Sequence, residues 1–132
     1  MTITYNLEER LTHARELRAG GYNCSQCVLL SFDDLTAGCD PLTLAHIAHG
    51  FGSGMTIGDM CGAISGGVML LGLVYPDMPR PELYAIVREF ITRFEALEGE
   101  RTCARLKGCG HKPCLTLITD AVELLHTMLA DA

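Results

Sequence analysis

Residues 113–129, PCLTLITDAVELLHTML, carry the pattern that decides the fold. Apolar side chains recur three or four residues apart between Ile118 and Leu129, the spacing that places them on one face of a helix. Pro113 favours a helix start, because the proline ring fits the first turn. The stretch therefore predicts a long amphipathic helix.

The same spacing recurs through the rest of the chain and predicts further helices. They run from Leu7 to Leu17, from Asn23 to near Gly38, from Asp40 to about His49, from Ala63 to Tyr75 and from near Glu82 to Glu98, with a short turn from Thr102 to Lys107. No stretch of alternating apolar and polar residues is long enough to predict a β-strand in place of a helix. We expect one all-α domain over residues 1–132, a bundle of about five to six helices.

Composition and charge exclude several classes of function. The chain has 132 residues, of which 48% are apolar, enough to bury the core of one domain. Its net charge of −6 argues against binding to nucleic acid or to an anionic membrane surface. The longest uncharged run, residues 60–76, is short for a membrane span of about 20 residues.

The seven cysteines are the informative residues. The N-terminus, MTITYNLEERL, has no basic segment followed by an apolar stretch, so we expect no signal peptide and a cytoplasmic protein. Thiols stay reduced in the cytoplasm, where clustered cysteines indicate a metal or redox centre more than structural disulfides.

Four of these cysteines are predicted to lie in the first turns of four different helices. Cys24 follows the cap Asn23, Cys61 stands two residues after the candidate cap Asp59, Cys103 follows Thr102 and Cys114 follows Pro113. The positive end of the helix dipole stabilises a thiolate, so we expect lowered pKa values for these thiols. Four converging helix starts would form a Cys₄ cage for a metal or an iron–sulfur cluster.

Other candidate residues lie near these four. Cys27 completes a CxxC motif with Cys24, the arrangement of dithiol redox sites. Cys109 and His111 lie just before Cys114. Together with Cys27, they are candidates to replace one of the four cysteines as a metal ligand. Cys39 lies in a predicted loop and is expected to be incidental.

Three strings in this order resemble the redox-active CGAxxG proteins, a family named for one cysteine, a CGAxxG motif and two further cysteines. The strings are GYNCSQ at 21–26, GFGSGM at 50–55 and CGAISG at 61–66. On this resemblance the third and fourth family cysteines are Cys103 and Cys114. It implies redox chemistry through the four cysteines, which in some similar domains of multidomain electron carriers are associated with an iron–sulfur centre. Because there are additional cysteines at 27, 39 and 109, the resemblance leaves open which set of cysteines forms the functional centre.

Three functions remain open from the sequence. Cys24, Cys61, Cys103 and Cys114 would ligate an iron–sulfur cluster in an electron-transfer protein. Alternatively, Cys24 or Cys61 would attack a peroxide or a disulfide in a metal-free thiol enzyme. A structural zinc site is the third hypothesis. The expected partner is a redox protein or a small thiol or disulfide, and apolar stripes on the last two long helices leave room for a homodimer.

Overall fold

The computed structural model describes residues 2–108 and 112–132, which contain seven α-helices and no β-strand. The predicted all-α fold is confirmed. The helices are α1 (Leu7–Ala19), α2 (Cys24–Leu30), α3 (Pro41–His49), α4 (Gly62–Val74), α5 (Arg80–Glu98), α6 (Cys103–Gly108) and α7 (Cys114–Ala130). Their number exceeds the predicted five to six because the short helix α6 forms where a turn was predicted from Thr102 to Lys107.

Two capping boxes fix the starts of α1 and α2. In α2 the side chain of Asn23 accepts a hydrogen bond from the amide of Gln26 at 2.9 Å, and Gln26 Oε1 accepts one from the amide of Asn23 at 3.0 Å. Asn6 and Glu9 make the same reciprocal pair at α1. Each box satisfies amides that the first helical turn leaves free. The N-terminal boundaries of both helices therefore follow from local sequence.

The prediction that the second helix continues to near Gly38 was wrong. Helix α2 ends at Leu30 and turns follow it. The hydroxyl of Ser31 donates back to the carbonyl of Val28 at 2.9 Å, and the carboxylate of Asp34 pairs with Arg10 of α1 at 2.7 Å. These local and tertiary bonds replace the bonds of a continued helix.

Helix α2 lies at the centre of the fold, and all of its residues are buried. It packs against α1, α3, α4 and α7. The contact with α4 is a close one, since a Cβ added at Gly66 would overlap the backbone carbonyl of Ser25. A Cβ at Gly62 would lie 3.2 Å from the Cβ of Cys24. The glycines of α4 thus bring the start of this helix against the start of α2.

A buried ion pair joins α1 to the turns after α2 and to α7. The guanidinium of Arg10, which is fully buried, donates to both oxygens of Asp34 at 2.7 and 2.8 Å and to His126 Nδ1 at 2.9 Å. It also lies 4.3 Å from the ring centroid of Phe32. Burial works to raise the pKa of Asp34, but the hydrogen bonds from Arg10 and from backbone amides outweigh it and lower the pKa.

The helices of the described ranges include none that is both long and apolar enough to cross a membrane.

Candidate functional site: a four-cysteine cavity

The four cysteines predicted as ligands surround one cavity of about 90 Å³. Each comes from a different part of the chain, namely α2, the residue before α4, α6 and α7. The cavity is lined by Arg18, Asn23, Cys24, Ser53, Cys61, Gly62, Cys103, Lys107, Cys114 and Leu117. The fold therefore brings together thiols that lie as much as 90 positions apart in the sequence, from Cys24 to Cys114.

Cys24 and Cys114 each occupy the first position of a helix. Cys24 follows the capping box of Asn23, whose Nδ2 also donates to the carbonyl of His49 at 2.8 Å. Cys114 follows Pro113, the N-cap of α7, which provides no side-chain cap. Both cysteines were predicted at helix starts, and the structure places them there.

Backbone hydrogen bonds hold Cys61 beside Cys103. The amide of Cys61 donates to the carbonyl of Arg101 at 2.8 Å, and the amide of Cys103 donates to the carbonyl of Asp59 at 2.7 Å. Residues 60 and 102 form an isolated antiparallel bridge between these two bonds. Asp59, predicted as the cap of α4, is not the cap, because Cys61 itself is the N-cap. Cys103 is the first residue of α6.

A left-handed turn, residues 53–58, borders the cavity at Ser53. Three of its non-glycine residues have positive φ, Ser53 at 54°, Met55 at 58° and Thr56 at 68°. This conformation costs roughly 1–2 kcal/mol per non-glycine residue. The glycine-dense sequence predicted a loop here without its handedness, because the strain is supported by contacts that only the folded chain supplies.

Burial raises the pKa values of the central thiols, contrary to the prediction for helix starts. For Cys24 burial, followed by the negative charges of Cys114 and Cys61, raises the pKa to about 12. Burial raises the pKa of Cys61 to about 11, although the amides of Ala63 and Ile64 work to lower it. The prediction of lowered pKa values was wrong for these two residues, since desolvation outweighs the amides at a helix start.

The cavity is also bordered by two cations that the sequence analysis did not single out. Arg18, in the last turn of α1, lowers the pKa of Cys24, although less than burial raises it. Lys107 lies four residues after Cys103, on the same face of α6. That spacing was a usable signal for Lys107, whereas only the tertiary fold brings Arg18 to the cavity.

The remaining candidates lie elsewhere or outside the described residues. Cys27 is fully buried and donates to the carbonyl of Tyr22 at 3.5 Å, and burial raises its pKa to about 11. It does not line the cavity, and neither does the half-buried Cys39. Cys109 and His111 lie outside the described residues.

The donor set of the cavity is four thiols. Thiolates are the ligands of iron–sulfur clusters and also suit zinc. Within residues 2–108 and 112–132, no three histidine, cysteine or acidic side chains lie close enough together to hold a single metal ion.

Comparison with family models matches residues 22–128 to a family described as "Putative redox-active protein (C_GCAxxG_C_C)". The chain belongs to this family. The span that matches the C_GCAxxG_C_C model contains all four cavity cysteines. The family description writes its central motif as GCAxxG, whereas this member has CGAISG at 61–66. No curated protein and no solved structure matches the chain.

Proposed function

We propose that the four-cysteine cavity holds an iron–sulfur cluster and that the protein carries electrons. The observation that carries this proposal is the convergence of four thiols, from four separate parts of the fold, on one cavity of about 90 Å³. Exchange between a dithiol and a disulfide needs only two thiols. The proposed ligands are Cys24, Cys61, Cys103 and Cys114.

The charges around the cavity support this assignment. Burial and mutual repulsion make thiolates costly here, as the raised pKa values of Cys24 and Cys61 show. Coordination of the deprotonated sulfurs by the iron of a cluster would remove that cost. Arg18 and Lys107 add positive charge that offsets the negative charge of four thiolates. Ligands and surroundings are thus matched to an anionic centre.

The chain itself would hold the centre rigidly and shield part of it from water, since Cys24 and Cys61 are buried whereas Cys103 and Cys114 are half-buried. The backbone bonds between residues 59–61 and 101–103 fix the relative positions of Cys61 and Cys103. Leu117 closes part of the wall, and Gly62 leaves the space beside Cys24 free of a side chain. When bound, a cluster supplies a one-electron redox couple whose potential depends on such burial and on hydrogen bonds to sulfur.

The test is purification without oxygen, followed by absorption spectroscopy and by iron, sulfide and zinc analysis per chain. We expect bands between roughly 320 and 460 nm with iron and sulfide near stoichiometry. Serine in place of any of the four ligands should remove the iron and the bands. Cys39→Ser is the matched control, because Cys39 is only half-buried and lies outside the cavity. Zinc without iron, or a metal-free protein, would refute the proposal.

One observation favours a second candidate, thiol–disulfide exchange. Cys24 and Cys114 line the same cavity, and the negative charge of the Cys114 thiolate helps to raise the pKa of Cys24. In this reaction the two thiols lose two protons and two electrons and form one S–S bond, while a disulfide substrate gains them and becomes two thiols. The burial of Cys24 means that its thiolate would form only when the site opens.

Disulfide mapping distinguishes this candidate from the first. A metal-free protein treated with a small disulfide should yield a peptide that links Cys24 to Cys114 if the second candidate is correct. The Cys114→Ser variant should then stop at a mixed disulfide on Cys24. An iron-loaded protein whose thiols resist the reagent would exclude this chemistry.

A further inference from the structure

One segment of this acidic protein contains basic residues but no acidic ones. Residues 101–119 include no aspartate or glutamate, although the chain as a whole has 16 of them against 10 basic residues. Four of those basic residues lie in this segment: Arg101, Arg105, Lys107 and Lys112. The same segment supplies two of the cavity cysteines, Cys103 and Cys114.

Ion pairs neutralise three of these four basic residues, and the fourth, Lys107, lines the cavity. Arg101 pairs with Glu95 at 3.4 Å, Arg105 with Glu100 at 3.1 Å and Lys112 with Glu98 at 2.7 Å. Within the described residues, Lys107 and Arg18 have no carboxylate partner, and the undescribed residues 109–111 include no acid. Among the described residues, Arg15, Arg80 and Arg88 also lack a carboxylate partner, but only Arg18 and Lys107 line the cavity.

The left-handed turn that borders the cavity carries two exposed apolar side chains. In the left-handed turn, Met55 is 51% exposed and Ile57 is 76% exposed. The turn packs against α6, because a Cβ added at Gly58 would lie 3.1 Å from the Cβ of Ala104. Its first residue, Ser53, lines the cavity together with Lys107. Two large apolar side chains are therefore held in solvent beside the cysteines, on a backbone that costs free energy to form.

We propose that Arg18, Met55, Ile57 and Lys107 form a docking face for an acidic electron-transfer protein. The inference rests on the proposed function, since it names the partner of the same centre. One electron passes from whichever of the two centres is reduced to the one that is oxidised, so that the first is oxidised as the second is reduced and no bond is formed. Electron-transfer encounters use small interfaces, so a few apolar contacts with complementary charge around them suffice. Opposite charges steer the two proteins together.

Binding measured by NMR tests the docking face. The probe is an acidic plant-type [2Fe–2S] ferredoxin made diamagnetic by gallium substitution, added to ¹⁵N-labelled protein at about 20 mM salt, where screening is weak. We expect shifts at the amides of Ile57 and Ala104. Lys107→Glu and Ile57→Asp should each weaken binding by about fivefold or more at that salt concentration. Arg88→Glu is the matched control, an exposed charge reversal on α5 that should change binding by less than about twofold.

The outcomes separate this inference from the proposed function. An equal loss in Arg88→Glu, an unchanged affinity in Lys107→Glu, or equally tight binding of the basic protein cytochrome c would overturn the docking face. Thermal unfolding of each variant verifies that it is folded. The binding readout does not depend on iron, so a protein without a cluster that still binds the ferredoxin through this face would refute only the proposed function. An iron-loaded protein that fails to bind it would refute only the docking face.

Discussion

Cys24 and Cys61 combine burial with a position at a helix start, and burial dominates. Burial is the largest cause that raises their pKa values, to about 12 and about 11. Few of these thiols are ionised near neutral pH, so the metal-free, reduced protein is protected against reagents that attack thiolates.

Alkylation of the metal-free, reduced protein measures this protection. At about pH 8, Cys24 and Cys61 should react with iodoacetamide at least about tenfold more slowly in the folded protein than in urea. Their rates should rise as the thiolates form, up to about pH 11 for Cys61 and about pH 12 for Cys24. Cys39, which is half-buried and outside the cavity, is the internal control and should react before Cys24 and Cys61. Mass spectrometry of the labelled peptides gives the rates, and fast labelling of Cys24 at neutral pH would contradict the expectation.

A carboxyl group with a raised pKa, that of Asp120, lies where α5 and α7 meet. Burial, then the hydrogen bond and the negative charge of Glu98, raise the pKa of Asp120 to about 7, against an opposing effect of Lys112. The Glu98 carboxylate is fully buried and accepts a hydrogen bond from Lys112 Nζ at 2.7 Å. Its Oε1 has no donor among the described residues unless Asp120 carries a proton. A protonated Asp120 would therefore be a hydrogen-bond donor beside the buried carboxylate of Glu98.

The Asp120 carboxyl gives stability a defined pH dependence. Its folded pKa of about 7 lies above the unfolded value of about 3.9. The folded state thus keeps a proton that the unfolded state loses, and its contribution to the free energy of unfolding falls between about pH 4 and pH 7. Asp120→Asn should remove this slope and raise the free energy of unfolding at about pH 8 by roughly 1–2 kcal/mol.

Urea denaturation at several pH values would measure the effect of Asp120→Asn. The exposed Asp77→Asn serves as the control and should leave the slope as it is in the parent protein. An unchanged slope in Asp120→Asn would show that this carboxyl is ionised in the folded state over the whole range.

At the scale of secondary-structure elements, the close contact between α2 and α4 positions Cys24 and Cys61 at the cavity. Gly66→Ala would push a methyl group into the backbone carbonyl of Ser25, and overpacking of this kind costs about 1–3 kcal/mol. Gly72, on the same helix, has nothing within 4 Å of an added Cβ, so Gly72→Ala should stabilise the protein by up to about 1 kcal/mol through helix propensity. Chemical denaturation compares the two variants, and equal effects would contradict the close approach of α2 and α4.

Local sequence patterns predicted where helices begin better than they predicted where a helix ends or how the connecting turns are shaped. The capping boxes at Asn6 and Asn23 are short-range patterns, and the structure confirms both helix starts. The end of α2 was missed because Arg10, 24 positions before Asp34, takes part in it. The left-handed turn was missed for a similar reason, since no local preference favours positive φ at Met55 or Thr56.

At the scale of the whole molecule, the Arg10–Asp34 pair holds α1, the turns after α2 and α7 together. Asp34→Asn would leave the fully buried guanidinium without its counter-charge, which costs about 3–5 kcal/mol. Because the pKa of Asp34 is lowered on folding, this contribution is present above about pH 4 and is lost at lower pH. The exposed pair Arg93–Glu89 is the control, and Arg93→Met should cost no more than about 0.5 kcal/mol. Comparable losses in the two variants would contradict a special role for the buried pair.

Convergence of the four cysteines is also a property of the whole molecule. The sequence predicted that the four cysteines lie near helix starts. Cys61 was placed in the first turn of α4, whereas it is the N-cap, one residue before that helix. The cavity itself depends on how α2, α4, α6 and α7 pack, which no local pattern specifies. Burial within that packing also reversed the expected direction of the pKa shifts at Cys24 and Cys61.

The wide separation of these cysteines along the chain has a consequence for biosynthesis. A ribosome releases Cys24 and Cys61 long before Cys114, so the cavity has no complete wall while most of the chain is being made. Any group housed there must wait until translation has passed residue 114 and the start of α7 has docked. Loading would then be a late step of maturation, carried out on a nearly finished bundle.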